Sequence, residues 1–186
     1  MKAKKIAIFG LMGALAAVIG FFESALLPAL PFLPPGAKPG LSNIVTTFAV
    51  AAYSLVGGLY VTLCKAAFVF LTRGVTAGLM SLAGGLLSAL CTYVLLRSRR
   101  KRLSYIGVGA LSAACHNAGQ LTVAALLTGT WAIFGYGKLL LPLAALTGSL
   151  TGVILNVVMP RLETLFPDGR AARAIHENHY GRKEDT

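Results

Sequence analysis

The chain has 186 residues, of which 56% are hydrophobic and 12% are charged, and its formal net charge is +11. Soluble domains usually carry about 25% charged residues, and the apolar residues here form long blocks that a soluble surface would leave facing water. The composition excludes an ordinary soluble domain. It predicts one membrane domain over residues 1–160, followed by a polar cytoplasmic tail over residues 161–186.

Six apolar segments follow one another along the chain and predict membrane helices, since a crossing needs about 20 apolar residues. The predicted spans cover residues 6–27, 41–56, 57–72, 75–96, 103–128 and 139–159. A proline-rich loop follows the first span, because proline stops helices. Gly57 and Gly58 are expected to form the turn between the second span and the short third one. The fold class is therefore an all-α, six-helix membrane bundle.

Most of the 17 basic residues fall at three places. These places are the amino terminus, residues 97–102 and residues 161–183. The positive-inside rule assigns all three to the cytoplasm, so we expect a multi-pass protein of the cell membrane with both termini cytoplasmic. The basic runs lack the interleaved aromatic residues of nucleic-acid surfaces, and we expect no nucleic-acid partner.

The few strongly polar side chains inside the spans concentrate in the predicted outer half of the bilayer. A charge at the midplane costs about 2.5–3.5 kcal/mol or more and usually indicates function. The predicted substrate-binding residues are Glu23, Lys38, Asn43, Lys65, Arg73, His116, Asn117 and Gln120. Lys65 and His116 are expected at the floor of this site. The excess of basic over acidic groups favours an anionic or amphiphilic small molecule. The alternative is that these side chains only satisfy one another, as Glu23 and Arg73 would across helices.

The first span carries small residues at four-residue spacing, which lets membrane helices approach closely. The residues in question are Gly10, Gly13, Ala14 and Ala17. Two readings remain open. These residues pack within the bundle itself, or they form a docking face for another membrane subunit.

The residues that catalysis would need are missing from the membrane part. It contains no paired carboxylates, no aspartate-rich run for magnesium and diphosphate, and no glycine-rich loop for ATP. His116 and the three cysteines (Cys64, Cys91 and Cys115) do not have metal-ligand spacing. We expect no enzymatic activity, no cofactor and no bound metal.

Three segments resemble the bacterial family labelled heptaprenyl diphosphate synthase component I, also called the Gx transporter family. They are GAKPGLSNIVT at 36–46, SLAGGLLSAL at 81–90 and HNAGQL at 116–121. That family is similar to the substrate-binding S components of energy-coupling-factor (ECF) vitamin transporters. The resemblance covers residues 4–160, with two departures. Residues 39–43 read PGLSN where LGLAN is expected, and Lys65 stands where an arginine is expected, although the two cations are not equivalent.

The resemblance implies a ligand site that faces outward under the loop after the first helix. It also implies that the first helix docks on a membrane coupling subunit linked to ATPases. Two functions follow as alternatives. The first is a transporter subunit that captures a small molecule from the extracytoplasmic side. The second is an accessory membrane subunit in isoprenoid or quinone metabolism, or in quinone-linked electron transfer.

Overall fold

The computed structural model describes residues 2–26, 40–97 and 103–165, and every regular element in these ranges is a helix. The helices are α1 (Lys2–Leu26), α2 (Asn43–Ala52), α3 (Leu55–Arg73), α4 (Val75–Arg97), α5 (Tyr105–Thr128) and α6 (Gly137–Leu165), with a short 3-10 helix (Trp131–Tyr136) before α6. The apolar blocks of the sequence therefore form a helical bundle.

Four of the described segments are long and apolar enough to cross a membrane. They are Ile6–Ala25, Leu55–Arg73, Val75–Arg97 and Trp131–Arg161. The bundle is thus of the membrane-protein type. Helix α5 has 24 residues and is long enough to cross, but its polar residues lower its mean hydropathy, and it is not among these four segments. Helix α2 has 10 residues, or about 15 Å at 1.5 Å per residue, half of a hydrocarbon core of about 30 Å. Six crossings and cytoplasmic termini stay predictions.

The turn between α2 and α3 lies at Tyr53 and Ser54, and the predicted turn at Gly57 and Gly58 is wrong. Both glycines belong to the first turn of α3. A Cβ on Gly58 would lie 2.1 Å from Cγ2 of Val50 on α2, so this glycine permits the two helices to touch. Glycine favours turns because of its conformational freedom, but in a membrane bundle it also permits close helix contact. The second predicted span is accordingly shortened to α2.

The backbone of helix α5 lies in direct contact with the backbones of both α4 and α6. A Cβ on Gly109 would lie 2.1 Å from the carbonyl oxygen of Gly148 on α6, and a Cβ on Gly119 would lie 2.8 Å from the carbonyl oxygen of Ala83 on α4. Any larger residue at these positions would push the backbones apart. On the other side of the bundle, small apolar residues of α1, α2 and α3 pack together. Helix α2 contacts both groups.

Helix α6 runs through Pro142 and Pro160 to Leu165, past the predicted end of the last span at residue 159. The division into a membrane domain over residues 1–160 and a tail over residues 161–186 stays a prediction. Residues 166–186 lie outside the described ranges.

Candidate functional site

Glu23 is a buried carboxylate that joins the end of α1 to the start of α2. Its side chain is 3% exposed. Its oxygens accept hydrogen bonds from the backbone N–H groups of Gly40, Leu41 (2.9 Å) and Ser42 (3.4 Å). Successive backbone N–H groups of this kind form a concave site for an anion. The Glu23 carboxylate therefore already accepts its hydrogen bonds from within the protein.

Lys65 is a buried cation in the middle of α3. Its side chain is 2% exposed, and Nζ has no hydrogen-bond partner within the part of the chain that the structure describes. The Glu23 carboxylate attracts it electrostatically, but that carboxylate is bonded to backbone N–H groups. An ammonium carries three donors, and burying an ion without partners costs several kcal/mol. The three donors of Lys65 are therefore unused within the described chain.

Arg73 lies at the carboxyl end of α3, about 12 Å from Lys65 along the helix at 1.5 Å per residue. It is partly exposed, and its Nη1 donates to Ser24 Oγ at 3.1 Å. Arg73 is also attracted by Glu23, yet the hydrogen bonds of Glu23 go to the backbone. The structure does not bring Arg73 and Lys65 into one site.

His116 and Gln120 share one face of α5 and pack on α4. Nε2 of Gln120 lies 3.0 Å from Nε2 of His116, as expected for residues four apart. A Cβ on Gly84 would lie 3.0 Å from both His116 Cε1 and Gln120 Cγ, and a Cβ on Gly40 would lie 3.6 Å from His116 Cδ2. His116 thus bridges α4 and the segment that Glu23 binds. The SLAGG and HNAGQ segments pack against each other here.

Asn117 faces α6 instead. Its Nδ2 donates to the carbonyl oxygen of Leu140 at 3.0 Å. Asn117 points to a different helix from His116 because successive residues of an α-helix are about 100° apart around its axis. Its Oδ1 has no hydrogen-bond partner among the described residues. The three polar residues of HNAGQ therefore divide between two faces of α5, and ligand binding by Asn117 stays a prediction.

Four buried polar side chains from α2 and α4 meet around Ser112 on α5. This group, called the Ser112 cluster below, consists of Asn43, Thr47, Ser88, Thr92 and Ser112. The Ser112 oxygen lies 2.6 Å from Ser88 Oγ, 2.9 Å from Thr92 Oγ1 and 3.1 Å from Thr47 Oγ1.

Asn43 completes the Ser112 cluster with both ends of its amide. Its Nδ2 donates to Ser112 at 3.4 Å, and its Oδ1 accepts from Ser88 at 2.9 Å. The structure thus gives each end of the amide of this predicted ligand residue a partner within the protein. Its role in substrate binding stays a prediction.

Four members of this cluster were not predicted from the sequence. Serine and threonine hydroxyls are weak signals, because in helices they often bond the carbonyl four residues back, as Thr147 and Thr151 do here. The available signal was spacing. Asn43 and Thr47, like Ser88 and Thr92, stand four apart and so share a helix face.

Other buried polar atoms lack hydrogen-bond partners within the described chain. Four of these atoms define what we call the unpaired group, namely Thr46 Oγ1, Thr62 Oγ1, Lys65 Nζ and Gln120 Oε1. Thr62 contacts Gly85, where a Cβ would lie 2.6 Å from its Cγ2, and Gln120 contacts the adjacent Gly84. Lys65 follows Thr62 by one helical turn. Thr62 and Gln120 therefore lie against adjacent glycines of α4.

The predicted docking residues of α1 divide between the inside and the outside of the bundle. Gly13 and Ala17 are buried, and a Cβ on Gly13 would lie 2.7 Å from the Cβ of Cys64 on α3. Gly10 and Ala14 are exposed. Gly13 and Ala17 therefore pack within the chain, and only the other two lie on a free face.

Lys38 lies outside the described residues. Within the described ranges, no group of three or more His, Cys, Asp or Glu side chains is placed to hold a metal ion.

A model of the family described as heptaprenyl diphosphate synthase component I matches residues 12–158. The match extends from α1 into α6 and contains the Ser112 cluster, the unpaired group and both packed motifs. No curated protein and no solved structure matches the chain.

Proposed function

We infer that this chain, which belongs to the heptaprenyl diphosphate synthase component I family, is a substrate-binding membrane subunit that holds a small anionic molecule for an ECF-like transporter. The observation that carries this proposal is Lys65, which is 2% exposed and has no hydrogen-bond partner among the described residues. Intramembrane ionisable groups of this kind usually serve function.

An anion with several acceptor oxygens suits Lys65 and the other members of the unpaired group. The ammonium supplies up to three donors, and the hydroxyls of Thr46 and Thr62 supply neutral ones. Gln120 adds an amide that can donate or accept. Glu23 does not cancel the lysine charge entirely, because backbone N–H groups share its carboxylate. A hydrogen bond to a charged group contributes about 1.5–3 kcal/mol, so losing Lys65 should weaken binding at least tenfold.

Transport needs further components, and these belong to the proposal. The chain would capture its ligand from the extracytoplasmic side, and a coupling subunit with ATPases would provide the energy. Gly10 and Ala14, which are exposed on α1, remain the candidate contact residues. They would let a partner helix approach closely.

The family description favours a second candidate. It names a component of heptaprenyl diphosphate synthase, and a prenyl diphosphate is itself an amphiphile with an anionic head. The chain would then be an accessory membrane subunit that holds such a molecule for another protein. In both cases we propose that the chain is not the catalyst.

The test is mass spectrometry of the small molecules that stay with the protein in mild detergent. We expect an anionic compound with the wild-type protein, its loss with Lys65→Gln, and its retention with Lys138→Gln. Lys138 is the matched control, since it is an exposed lysine at the start of α6. Equal retention by Lys65→Gln would contradict the proposal.

Co-purification separates the two candidates. Recovery of ATPases and a coupling subunit with the tagged protein supports transport. Recovery of a prenyltransferase supports the accessory role and rejects transport.

A further inference from the structure

A groove of about 230 Å³ opens between α1 and α3, near the carboxyl ends of both helices. The residues that line it include Phe21, Ser24, Ala25, Phe68, Thr72 and Arg73. Phe21, Ala25 and Thr72 are exposed, so the groove faces the surroundings of the bundle and not its interior. Its walls are largely aromatic and aliphatic, and its cation is Arg73.

Arg73 is held in place but retains donors. Ser24 Oγ accepts from Arg73 Nη1 at 3.1 Å and donates to the carbonyl oxygen of Gly20 at 2.6 Å. The Thr72 hydroxyl donates to the carbonyl of Phe68 at 2.8 Å. The hydroxyl protons of Ser24 and Thr72 are therefore both donated to backbone carbonyls. A guanidinium has five N–H donors, and within the described chain Arg73 uses one of its nitrogens in a hydrogen bond.

The depth of Arg73 fits a lipid headgroup. Helix α3 has 19 residues and ends at Arg73, so it is about 28 Å long, close to the thickness of the hydrocarbon core. A crossing that begins at Leu55 on one side of the hydrocarbon core therefore ends with Arg73 at the boundary with the headgroups. The planar guanidinium fork matches phosphate oxygens.

We propose that this groove binds one anionic phospholipid of the surrounding bilayer. The phosphate lies on Arg73, and the first part of an acyl chain lies between Phe21 and Phe68. The volume of about 230 Å³ is below the roughly 300–1,000 Å³ of pockets that enclose a whole ligand, so the rest of the lipid stays in the bilayer. This site does not include Lys65 and does not depend on the proposed transport function.

Native mass spectrometry tests the site with phosphatidylglycerol as the anionic probe and phosphatidylcholine as the zwitterionic one. The wild-type protein, freed of lipid and offered an equal mixture, should retain one phosphatidylglycerol in preference to phosphatidylcholine. Arg73→Gln should reduce that retention about tenfold, since a charge-assisted hydrogen-bonded contact is lost. Ala25→Phe should abolish it by filling the groove while Arg73 remains.

Two controls keep the result specific. Lys138→Gln removes an exposed cation outside the groove and should leave phosphatidylglycerol retention unchanged. All variants should elute as one species with the melting temperature of the wild type. Equal loss in Lys138→Gln, or full retention in Ala25→Phe, would overturn the site. Displacement of phosphatidylglycerol by an equimolar polyprenyl phosphate would overturn the choice of a bilayer phospholipid as its occupant.

Discussion

The Ser112 cluster and the unpaired group lie next to each other in the same bundle, yet they differ in how their polar atoms are satisfied. In the cluster, hydroxyls from three helices bond one another and the Asn43 amide at 2.6–3.4 Å. In the unpaired group, four buried atoms have no hydrogen-bond partner in the described ranges. Both groups are buried, so burial alone does not distinguish them.

The difference indicates two roles. A buried polar network with all its partners fixes how helices pack, whereas a buried polar atom without a partner destabilises the fold. The proposed ligand would supply the missing partners. The Ser112 cluster therefore forms a frame that joins α2, α4 and α5, and we expect the unpaired group to provide the binding groups.

The largest expected effect comes from forcing α5 and α6 apart. Gly148→Leu places a side chain where a Cβ would already lie 2.5 Å from the carbonyl oxygen of Gly109 and from the Cα of Ala110. Helices α5 and α6 would have to separate, and we expect a loss above about 4 kcal/mol. Thermal melting in detergent measures it. Ala145→Leu, on an exposed position of the same helix, is the control and should melt like the wild type.

Removal of the central hydroxyl of the cluster should have the next largest effect. Ser112→Ala leaves several buried polar groups without a shared partner, at about 1–3 kcal/mol for each group that stays unsatisfied. We expect a melting temperature several degrees lower. Ser149→Ala, at a partly exposed serine of α6, should change little. If the two variants melted alike, the cluster would not be the frame.

A comparison within HNAGQ sharpens the distinction between the two groups. Asn117→Ala removes the hydrogen bond to Leu140 on α6 and should cost about 1 kcal/mol of stability. Gln120→Ala removes an Oε1 that lacks a partner among the described residues and an Nε2 that contacts His116 on the same helix. It breaks no hydrogen bond between described helices, so it should mainly reduce ligand retention. Melting curves and mass spectrometry on both variants measure the two effects. Lower stability of Gln120→Ala together with weaker ligand retention by Asn117→Ala would contradict this assignment.

The smallest effect is expected at the turn between α2 and α3, away from both groups. Ser54 has a φ of 143° and a ψ of 177°, a conformation that is essentially restricted to glycine. Ser54→Gly relieves that strain but increases the entropy of the unfolded chain. We expect a stabilisation of at most about 1 kcal/mol, visible as a small rise in melting temperature. A fall would indicate that the serine side chain contributes to the turn.

The sequence predicted the helices and the burial of its polar residues better than their partners. Apolar blocks locate helices directly, and burial of Lys65, His116 and Gln120 follows from their place within those blocks. The contact between Gly84 and His116 joins segments about 30 residues apart in the chain, and no local pattern reveals it. Gly58 was misassigned because turns and close helix packing both select glycine.

The partners of Glu23 and Asn43 were beyond the sequence for a different reason. Glu23 was expected to pair with a side chain or a ligand, but it bonds to backbone N–H groups, which every residue except proline carries. Asn43 is satisfied by serine, a residue that is common in apolar helices. Charge and polarity in a sequence identify which groups need partners, and the fold decides which partner each one finds.

The central claim is that Lys65 is kept for a ligand and not for the fold. Thermal melting of the wild type and of Lys65→Met, each with and without the small-molecule extract of the wild-type protein, tests it most directly. A ligand at 100 times its dissociation constant stabilises a protein by about 2.7 kcal/mol. We predict that the extract raises the melting temperature of the wild type only, and that Lys65→Met without extract melts no lower than the wild type. A lower melting temperature for Lys65→Met, together with undiminished stabilisation by the extract, would contradict the account.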